Sequence, residues 1–186
     1  WEGDDIVFGS ERACYPSEFY ESGLNDWIVW MKERGMGRVV CLLHPKGEDE
    51  KKSFSGKISY GDLLEKYREE FGHGNVLMAP IKDHDISSEG MLLEEILPFL
   101  EDSVDSGMKT VVHCSAGSGR TGHILAAWRI RHHDVELSDA TQKGAKYWNC
   151  LAPDIGRNPY EAAYSMVSGK RMSRKDIDRL LTLAKK

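Results

Sequence analysis

Several features are missing from the 186-residue sequence, and each absence excludes a class of protein. No apolar run approaches the roughly 18 residues of a membrane-spanning helix, which predicts that the chain has no membrane span. The four cysteines show neither a CxxC pair nor zinc-type spacing, and they predict reduced thiols in a cytoplasmic compartment. The formal net charge is -5, whereas nucleic-acid-binding proteins are usually basic, so no nucleic-acid partner is predicted.

Nothing in the sequence divides the chain. There is no internal repeat and no linker rich in Pro, Gly or Ser, which predicts a single domain over residues 1–186. A content of 40% hydrophobic and 30% charged residues is ordinary for a globular protein. No export signal is recognisable, although the chain begins at Trp1 rather than at Met, so an upstream segment could have been removed. The oligomeric state is not indicated.

Short apolar runs alternate with amphipathic ones along the chain. The stretches "DDIVFGS", "RVVCLL", "NVLMAPI" and "KTVVH" are typical of strands. Helices are predicted for "GLNDWIVWMKERG", for "YGDLLEKYREEF" behind a Ser59–Asp62 cap, for "MLLEEILPFLEDSVDSG" with a kink at Pro98, for Thr121 to His132, and for the C-terminal "RKDIDRLLTLAKK". This alternation predicts an α/β fold with a four- or five-stranded, mostly parallel sheet flanked by helices.

The stretch "VVHCSAGSGRTG", residues 111–122, leads from an apolar strand through a Gly-rich loop into a helix. The carboxyl end of a strand and the start of a helix together favour anion binding by free backbone N–H groups. The small residues of the loop allow such a cradle, and they are Ser115, Ala116, Gly117, Ser118 and Gly119. The same environment favours the thiolate form of Cys114, and the planar guanidinium of Arg120 can bind two phosphate oxygens. His113 is expected to point to the opposite face from Cys114, which disfavours a cysteine–histidine peptidase.

The stretch "HCSAGSGRTG" resembles the signature His-Cys-(five residues)-Arg-Ser/Thr-Gly of the cysteine-dependent protein tyrosine phosphatase superfamily, and it matches every fixed position. This resemblance implies hydrolysis of phosphomonoesters through a cysteinyl-phosphate, without a metal or an organic cofactor. Cys114 would be the nucleophile, and Arg120 with the amides of residues 115–120 would bind the phosphoryl oxygens. The hydroxyl of Thr121 would ease departure of the thiolate, and His113 would orient the surroundings of the cysteine.

A phosphatase also needs a proton donor for the leaving oxygen, and "APIKDHDIS" contains two candidates, Asp83 and Asp85. Small dual-specificity phosphatases carry their general acid in a similar "P-I-x-D" stretch, so the resemblance through Pro80 and Ile81 favours Asp83, with Asp85 as the second choice. A solvated turn is the alternative for both carboxylates. A metal site through residues 83–85 is disfavoured, because adjacent side chains rarely point at one centre.

A weaker resemblance lies in "LAPDIGRNPYEA", which is similar to the "I-x-P-N-x-G-F" stretch of small dual-specificity phosphatases. Ile155 and Asn158 match, whereas Arg157 replaces the proline and the Gly-Phe pair is absent. Asn158 is therefore a candidate for supporting the phosphate loop, and an ordinary surface loop before Pro159 is the alternative.

The substrate class is open on several sides. The cradle lacks the lysines that are typical of phosphoinositide phosphatases, which disfavours a lipid substrate. The tyrosine-bearing loop of tyrosine-specific phosphatase domains is not identifiable either. The resemblance therefore favours a protein substrate that carries phosphotyrosine and also phosphoserine or phosphothreonine. A phosphoinositide or other small-molecule phosphatase and a non-catalytic phosphate-binding module remain alternatives. A sulfur- or arsenic-handling enzyme would need a resolving thiol, and the nearest in sequence, Cys150, lies 36 positions from Cys114. A regulatory disulfide between Cys41 and Cys114 is a further hypothesis.

Overall fold

Four parallel strands form the centre of the protein. The computed structural model describes residues 4–47, 50, 54, 58–117, 119–140 and 174–185. The strands of these ranges are β1 (Val7–Ser10), β2 (Met36–Cys41), β3 (Val76–Met78) and β4 (Lys109–His113). They pair in the order β1-β4-β2-β3, and every neighbouring pair is parallel. The predicted α/β class and parallel sheet are confirmed, with four strands.

Helices connect the strands. They are α1 (Glu21–Glu33), α2 (Tyr60–Phe71), α3 (Leu97–Ser106), α4 (Gly119–His132), α5 (Leu137–Ala140) and α6 (Arg174–Leu183). A short 3₁₀ turn, His73–Asn75, precedes β3. Within the described parts of the chain, no helix is both long enough and apolar enough to cross a lipid bilayer.

The helix type changes just before Pro98, where the sequence predicts a kink. A π-helical turn over Met91–Ile96 leads into α3, in which Pro98 lies within the first two positions. Proline is tolerated at the first positions of an α-helix for two reasons. Its missing N–H would have no partner within the helix, and its ring has no preceding α-helical carbonyl with which to clash. The wider π-helical turn takes the place of that conflicting α-helical turn.

Local sequence signals explain how α1 and α2 form. The period of 3.6 residues predicts that Leu24, Trp27, Ile28 and Met31 form the apolar stripe of α1. Leu24, Ile28 and Met31 are buried, and Trp27 is half-buried. The predicted cap of α2 is confirmed: the Asp62 N–H donates to Ser59 Oγ at 3.1 Å, and the Ser59 N–H donates to Asp62 Oδ2 at 2.8 Å. Each bond satisfies a backbone N–H that would otherwise lack a partner at the helix start.

The sheet is covered on both faces. Consecutive residues of a strand point to opposite faces, so Val111 and Val112 belong to two different apolar clusters, as do Val39 and Val40. Val112 and Val40 pack with side chains of α3, α4 and α6, and Val111 and Val39 pack with those of α1 and α2. The central strands are therefore apolar on both sides.

The register of the sheet brings four loops to one edge. Ser10 of β1 and Cys41 of β2 both pair with His113 of β4, and Cys41 also pairs with Met78 of β3. Because all four strands run in the same direction, the segments that follow them leave the sheet at its carboxyl edge. Ligands of open α/β sheets bind at this edge.

Candidate active site

The phosphate loop, residues 114–120, joins β4 to α4 at the carboxyl edge of the sheet. Cys114 comes directly after the last residue of β4 and is 2% exposed. Gly119 begins α4, and Arg120 and Thr121 follow in its first turn. The cysteine thus lies at a strand end and the arginine at a helix start, as the sequence predicted.

The segment after β1 supports the phosphate loop from outside. The backbone N–H of Arg12 donates to the carbonyl of Ser115 at 3.1 Å. Gly117 has a φ of 67°, and a Cβ built there would lie 2.6 Å from the backbone nitrogen of Glu11 and 2.8 Å from the carbonyl carbon of Ser10. Only glycine fits both the left-handed backbone and this close approach. The loop is therefore held by chain that lies about a hundred residues earlier in sequence.

Arg120 connects the phosphate loop to the acid loop, residues 79–90. Its side chain is 3% exposed. Nη1 donates to the carbonyl of Ile81 at 3.0 Å, and Nη2 lies 3.2 Å from Oδ1 of Asp83. A buried guanidinium needs such acceptors, because an uncompensated charge away from water is costly. The two predicted catalytic stretches are thus joined through one side chain.

The two carboxylates of the acid loop have different surroundings. Asp83 has a side chain that is 20% exposed, and besides Arg120 it contacts His84, whose N–H donates to Oδ1 at 3.1 Å and whose Nε2 lies 3.5 Å from Oδ2. Asp85 accepts the N–H of Ile86 at 3.0 Å, as in a local turn. Of the two candidates, Asp83 is the one that the structure brings to the phosphate loop.

His113 lies on the other face of the sheet from Cys114. It is fully buried, and its ring packs edge-on against Trp27 of α1 and Tyr67 of α2, with ring centroids 5.5 and 5.6 Å away. Its Nδ1 lies 3.3 Å from the carbonyl oxygen of Cys114. His113 thus contacts Cys114 at the backbone carbonyl, and the orienting role that the resemblance implies for its imidazole stays a prediction.

Thr121 is fully buried at the start of α4. Its hydroxyl makes no hydrogen bond to protein atoms in the described ranges. Buried hydroxyls are nearly always hydrogen-bonded, so this group calls for an explanation. It lies one residue after Arg120, and the interaction with sulfur that the resemblance implies for it stays a prediction.

The two cysteines proposed for a disulfide lie on opposite faces of the sheet. Cys41 packs in the apolar cluster beneath α1 and α2, whereas Cys114 packs in the cluster beneath α3, α4 and α6. This placement argues against a bond between them without a change in the backbone. Within the described part of the chain, no cluster of three or more His, Cys, Asp or Glu side chains is arranged to hold a metal ion.

Some predicted residues fall outside the described ranges. These are Ser118 of the phosphate loop, Asn158 with Arg157, and Cys150. Sequence reasoning missed the support from Glu11 and Arg12, the carbonyl of Ile81 and the contact from His84 to Asp83. Of these contacts, only the support of the phosphate loop by Glu11 and Arg12 had a signal in the sequence, because a glycine at position 117 indicates a close approach of another backbone segment.

Comparisons with known proteins agree with this geometry. A family model described as "Polymorphic toxin system, DSP-PTPase phosphatase" matches residues 57–134, which is less than half of the chain. Protein 123R of Invertebrate iridescent virus 6, a tyrosine phosphatase by name, is 27% identical over 93 residues, covering 50% of this chain and 65% of the relative. Dual specificity protein phosphatase 2 of Mus musculus is 31% identical over 61 residues, covering 33% of this chain and 19% of the relative. The similarity thus spans less than two thirds of either relative.

Solved structures share the fold. Tk-PTP in its active form has a TM-score of 0.55 at 23% identity, with 98% of this chain and 92% of that chain covered. PTPMT1 in complex with PI(5)P has a TM-score of 0.57 at 16% identity, with 96% and 94% covered. At such low identity the two structures show a common architecture. Together with the family model and the relatives, they confirm the resemblance predicted from the "HCSAGSGRTG" stretch.

Proposed function

We propose that this chain, a member of the cysteine-dependent tyrosine and dual-specificity phosphatase superfamily, hydrolyses phosphotyrosine, and also phosphoserine and phosphothreonine, in proteins. The observation that carries the proposal is the 3.2 Å ion pair between Arg120 and Asp83. It joins the guanidinium that we assign as the phosphate-binding cation to the carboxylate that we assign as the proton donor, next to the loop that begins at Cys114. These are the three groups that two-step phosphoryl transfer through a thiol requires.

In the first step, the Cys114 thiolate forms a bond to phosphorus while the bond from phosphorus to the ester oxygen breaks. The proton of the Asp83 carboxyl passes to the departing oxygen. Arg120 and the loop amides bind the equatorial oxygens, whose charge is stabilised through the in-line transition state. The product alcohol or phenol leaves, and the phosphoryl group stays on sulfur.

In the second step, a water molecule attacks phosphorus and the bond from phosphorus to sulfur breaks. The electron pair of that bond returns to Cys114 as a thiolate. Asp83, now a carboxylate, takes the proton of the attacking water and is ready for the next cycle. The buried hydroxyl of Thr121 is assigned the hydrogen bond that stabilises the departing thiolate.

Two observations favour a protein substrate with an aromatic phosphoester. The described cradle residues between Cys114 and Arg120 carry no charge that would select a polyphosphorylated head group. Tyr15 and Tyr20 are 41% and 49% exposed on segment 11–20, which contacts the phosphate loop through Arg12. Exposed aromatic rings on a segment that contacts the phosphate loop suit stacking against a phosphotyrosine ring. The complex of PTPMT1 with PI(5)P supports a phosphoinositide as the alternative.

A cytoplasmic location and a single catalytic domain over residues 1–186 are parts of the same proposal. No disulfide joins the three described cysteines, Cys14, Cys41 and Cys114. This is compatible with a reducing compartment, in which the Cys114 thiolate stays available for attack.

The test is phosphate release in the presence of EDTA from a phosphotyrosine peptide, a phosphoserine peptide, a phosphothreonine peptide and a phosphoinositide. Cys114→Ser should abolish release, and Cys14→Ser, which alters a half-buried thiol outside the phosphate loop, should retain it. Faster release from the peptides supports the proposal, and faster release from the phosphoinositide supports the alternative of a phosphoinositide phosphatase. Equal release by the wild type and Cys114→Ser would exclude the cysteine mechanism. No release from any substrate would favour a phosphate-binding module.

A further inference from the structure

We infer that His84 is a positioning residue for the general acid: its imidazole holds the Asp83 carboxyl when substrate phosphate occupies Arg120. This inference rests on the proposed function of the site. The contact that carries it is the 3.5 Å distance between His84 Nε2 and Asp83 Oδ2.

The two oxygens of Asp83 are held from different sides. Oδ1 contacts Nη2 of Arg120 at 3.2 Å and accepts the backbone N–H of His84 at 3.1 Å. Oδ2 is the oxygen nearest the imidazole. A neutral or protonated imidazole can hydrogen-bond to either protonation state of a carboxyl group. His84 is thus able to bind Asp83 both before and after it gives up its proton.

Chemistry requires a change of partner at Arg120. The guanidinium binds the equatorial oxygens of the phosphoryl group, whereas the acid must reach the leaving oxygen, which stands opposite the attacking sulfur. Once a phosphoryl oxygen replaces Oδ1 at Nη2, Asp83 loses its 3.2 Å contact with Arg120 and needs another group to hold its carboxyl beside the leaving oxygen. His84 is the side chain that can keep the carboxyl in place during this exchange.

The backbone conformation of His84 agrees with a positioning role for this residue. Its φ is 61°, in the left-handed region that residues other than glycine adopt at an energetic cost. Such conformations are concentrated at active sites. The turn is closed by the Asp85 N–H, which donates to the carbonyl of Lys82 at 3.0 Å. The conformation places the backbone N–H and the imidazole of one residue on the same carboxylate.

Two substitutions distinguish the effect of the imidazole from the effect of the backbone conformation, because Gly and Asn both tolerate the left-handed region. His84→Gly removes the side chain, and His84→Asn keeps a side-chain N–H donor. For phenyl phosphate, whose leaving group needs a proton, His84→Gly should lose about tenfold in kcat/KM, which reports the steps up to departure of the leaving group and is part of the 10²- to 10⁴-fold effect of a general acid. All comparisons between the two esters are made in kcat/KM, because hydrolysis of the cysteinyl-phosphate is common to both and contributes to kcat. His84→Asn should recover part of that loss. For p-nitrophenyl phosphate, which needs little protonation, both variants should stay within about twofold of the wild type.

A loss of equal size on both esters would overturn the inference, since it would indicate a general disturbance of the site. So would an unchanged rate on phenyl phosphate. If the wild type itself shows no Cys114-dependent release, the proposed function fails, and that result is seen before any His84 variant is measured.

A spectroscopic arm tests the contact without turnover. The imidazole ¹⁵N resonances of His84 should shift more in Asp83→Asn than in Asp85→Asn, because Asp83 contacts the ring whereas Asp85 accepts the N–H of Ile86. Resonances that do not respond to Asp83→Asn overturn the inference whatever the activity of the enzyme.

Discussion

The two carboxylates of the acid loop show how function is divided at the scale of single residues. Asp83 reaches Arg120 and His84 with its oxygens, whereas Asp85 accepts the N–H of Ile86. The two residues are separated by one position, and a turn that includes the left-handed His84 directs them differently. Both carboxylates accept the N–H of the residue that follows them, so the contact with Arg120 is what distinguishes Asp83 as the candidate proton donor.

The first prediction compares these two carboxylates. Asp83→Asn should lower kcat/KM for alkyl phosphates by roughly 10²- to 10⁴-fold, because the leaving alkoxide then receives no proton in the first step. Activated aryl phosphates should lose far less. Steady-state rates across a series of leaving groups measure this difference. Asp85→Asn is the matched control. A larger loss of rate in that variant than in Asp83→Asn would identify Asp85 as the general acid.

At the scale of elements, the phosphate loop depends on a backbone contact. The backbone of Ser10 and Glu11 fills the space where a side chain of residue 117 would lie. Gly107 after α3 has the same φ of 67° as Gly117, but no atom lies within 4 Å of its hypothetical Cβ. These two glycines share their backbone conformation and differ in their surroundings.

The second prediction uses that pair. Gly107→Ala should lower the free energy of unfolding by about 1–2 kcal/mol, the cost of a left-handed L-residue. Gly117→Ala should lower it by more and should also reduce kcat, because either the loop or the segment after β1 must move. Denaturant unfolding and phosphate release measure the two effects. If both variants lost the same free energy of unfolding and kept full activity, the close approach of the Ser10 and Glu11 backbone to residue 117 would not be required for the conformation of the phosphate loop.

The sequence predicted the local parts of this site well. The strand, loop and helix around Cys114 are contiguous, so their composition alone indicates their arrangement, and the Ser59–Asp62 cap is likewise local. What could not be predicted is contact between distant segments, such as Arg12 with Ser115 or Arg120 with Ile81. Each of these depends on the strand order, which no spacing along the chain reveals.

β3 illustrates the same limit at an element boundary. The apolar run "NVLMAPI" predicts a strand as far as Ile81, but the strand ends at Met78. Pro80 has no N–H to donate to a ladder. Backbone bonds to the β2 side continue on either side of Pro80, from the Ala79 N–H to the Cys41 carbonyl at 3.0 Å and from the Ile81 N–H to the Leu42 carbonyl at 3.1 Å. The Ile81 carbonyl is an acceptor for Arg120.

At the scale of the whole molecule, a buried histidine links stability to pH. Burial in α4 lowers the pKa of His123 from its ordinary 6.5 to about 4. Neither ring nitrogen of His123 has a hydrogen-bond partner in the described ranges. The folded state therefore favours the neutral ring, whereas the unfolded chain takes up a proton below pH 6.5. Stability from this residue is complete above pH 6.5 and declines as the pH falls towards 4.

The third prediction follows from that linkage. Between pH 6.5 and pH 4, the free energy of unfolding should fall by about 3 kcal/mol through this residue, and His123→Leu should remove that part of the slope. Burial also lowers the pKa of His133, so a smaller slope should remain. Urea titrations at a series of pH values measure the effect. His73→Gln, which alters an exposed histidine, is the control, and a wild-type slope in His123→Leu would refute the prediction.

The pairing of β1 with β4 has a consequence for biosynthesis. Val7 lies opposite Thr110 in the sheet, so the first strand leaves the ribosome about a hundred residues before its partner. Until then its unpaired edge and its apolar face have nothing to bind, and the support that Glu11 and Arg12 give to the phosphate loop is not yet formed. A nascent chain that ends before β4 should therefore require a chaperone, and the nucleophile joins its cradle only late in synthesis.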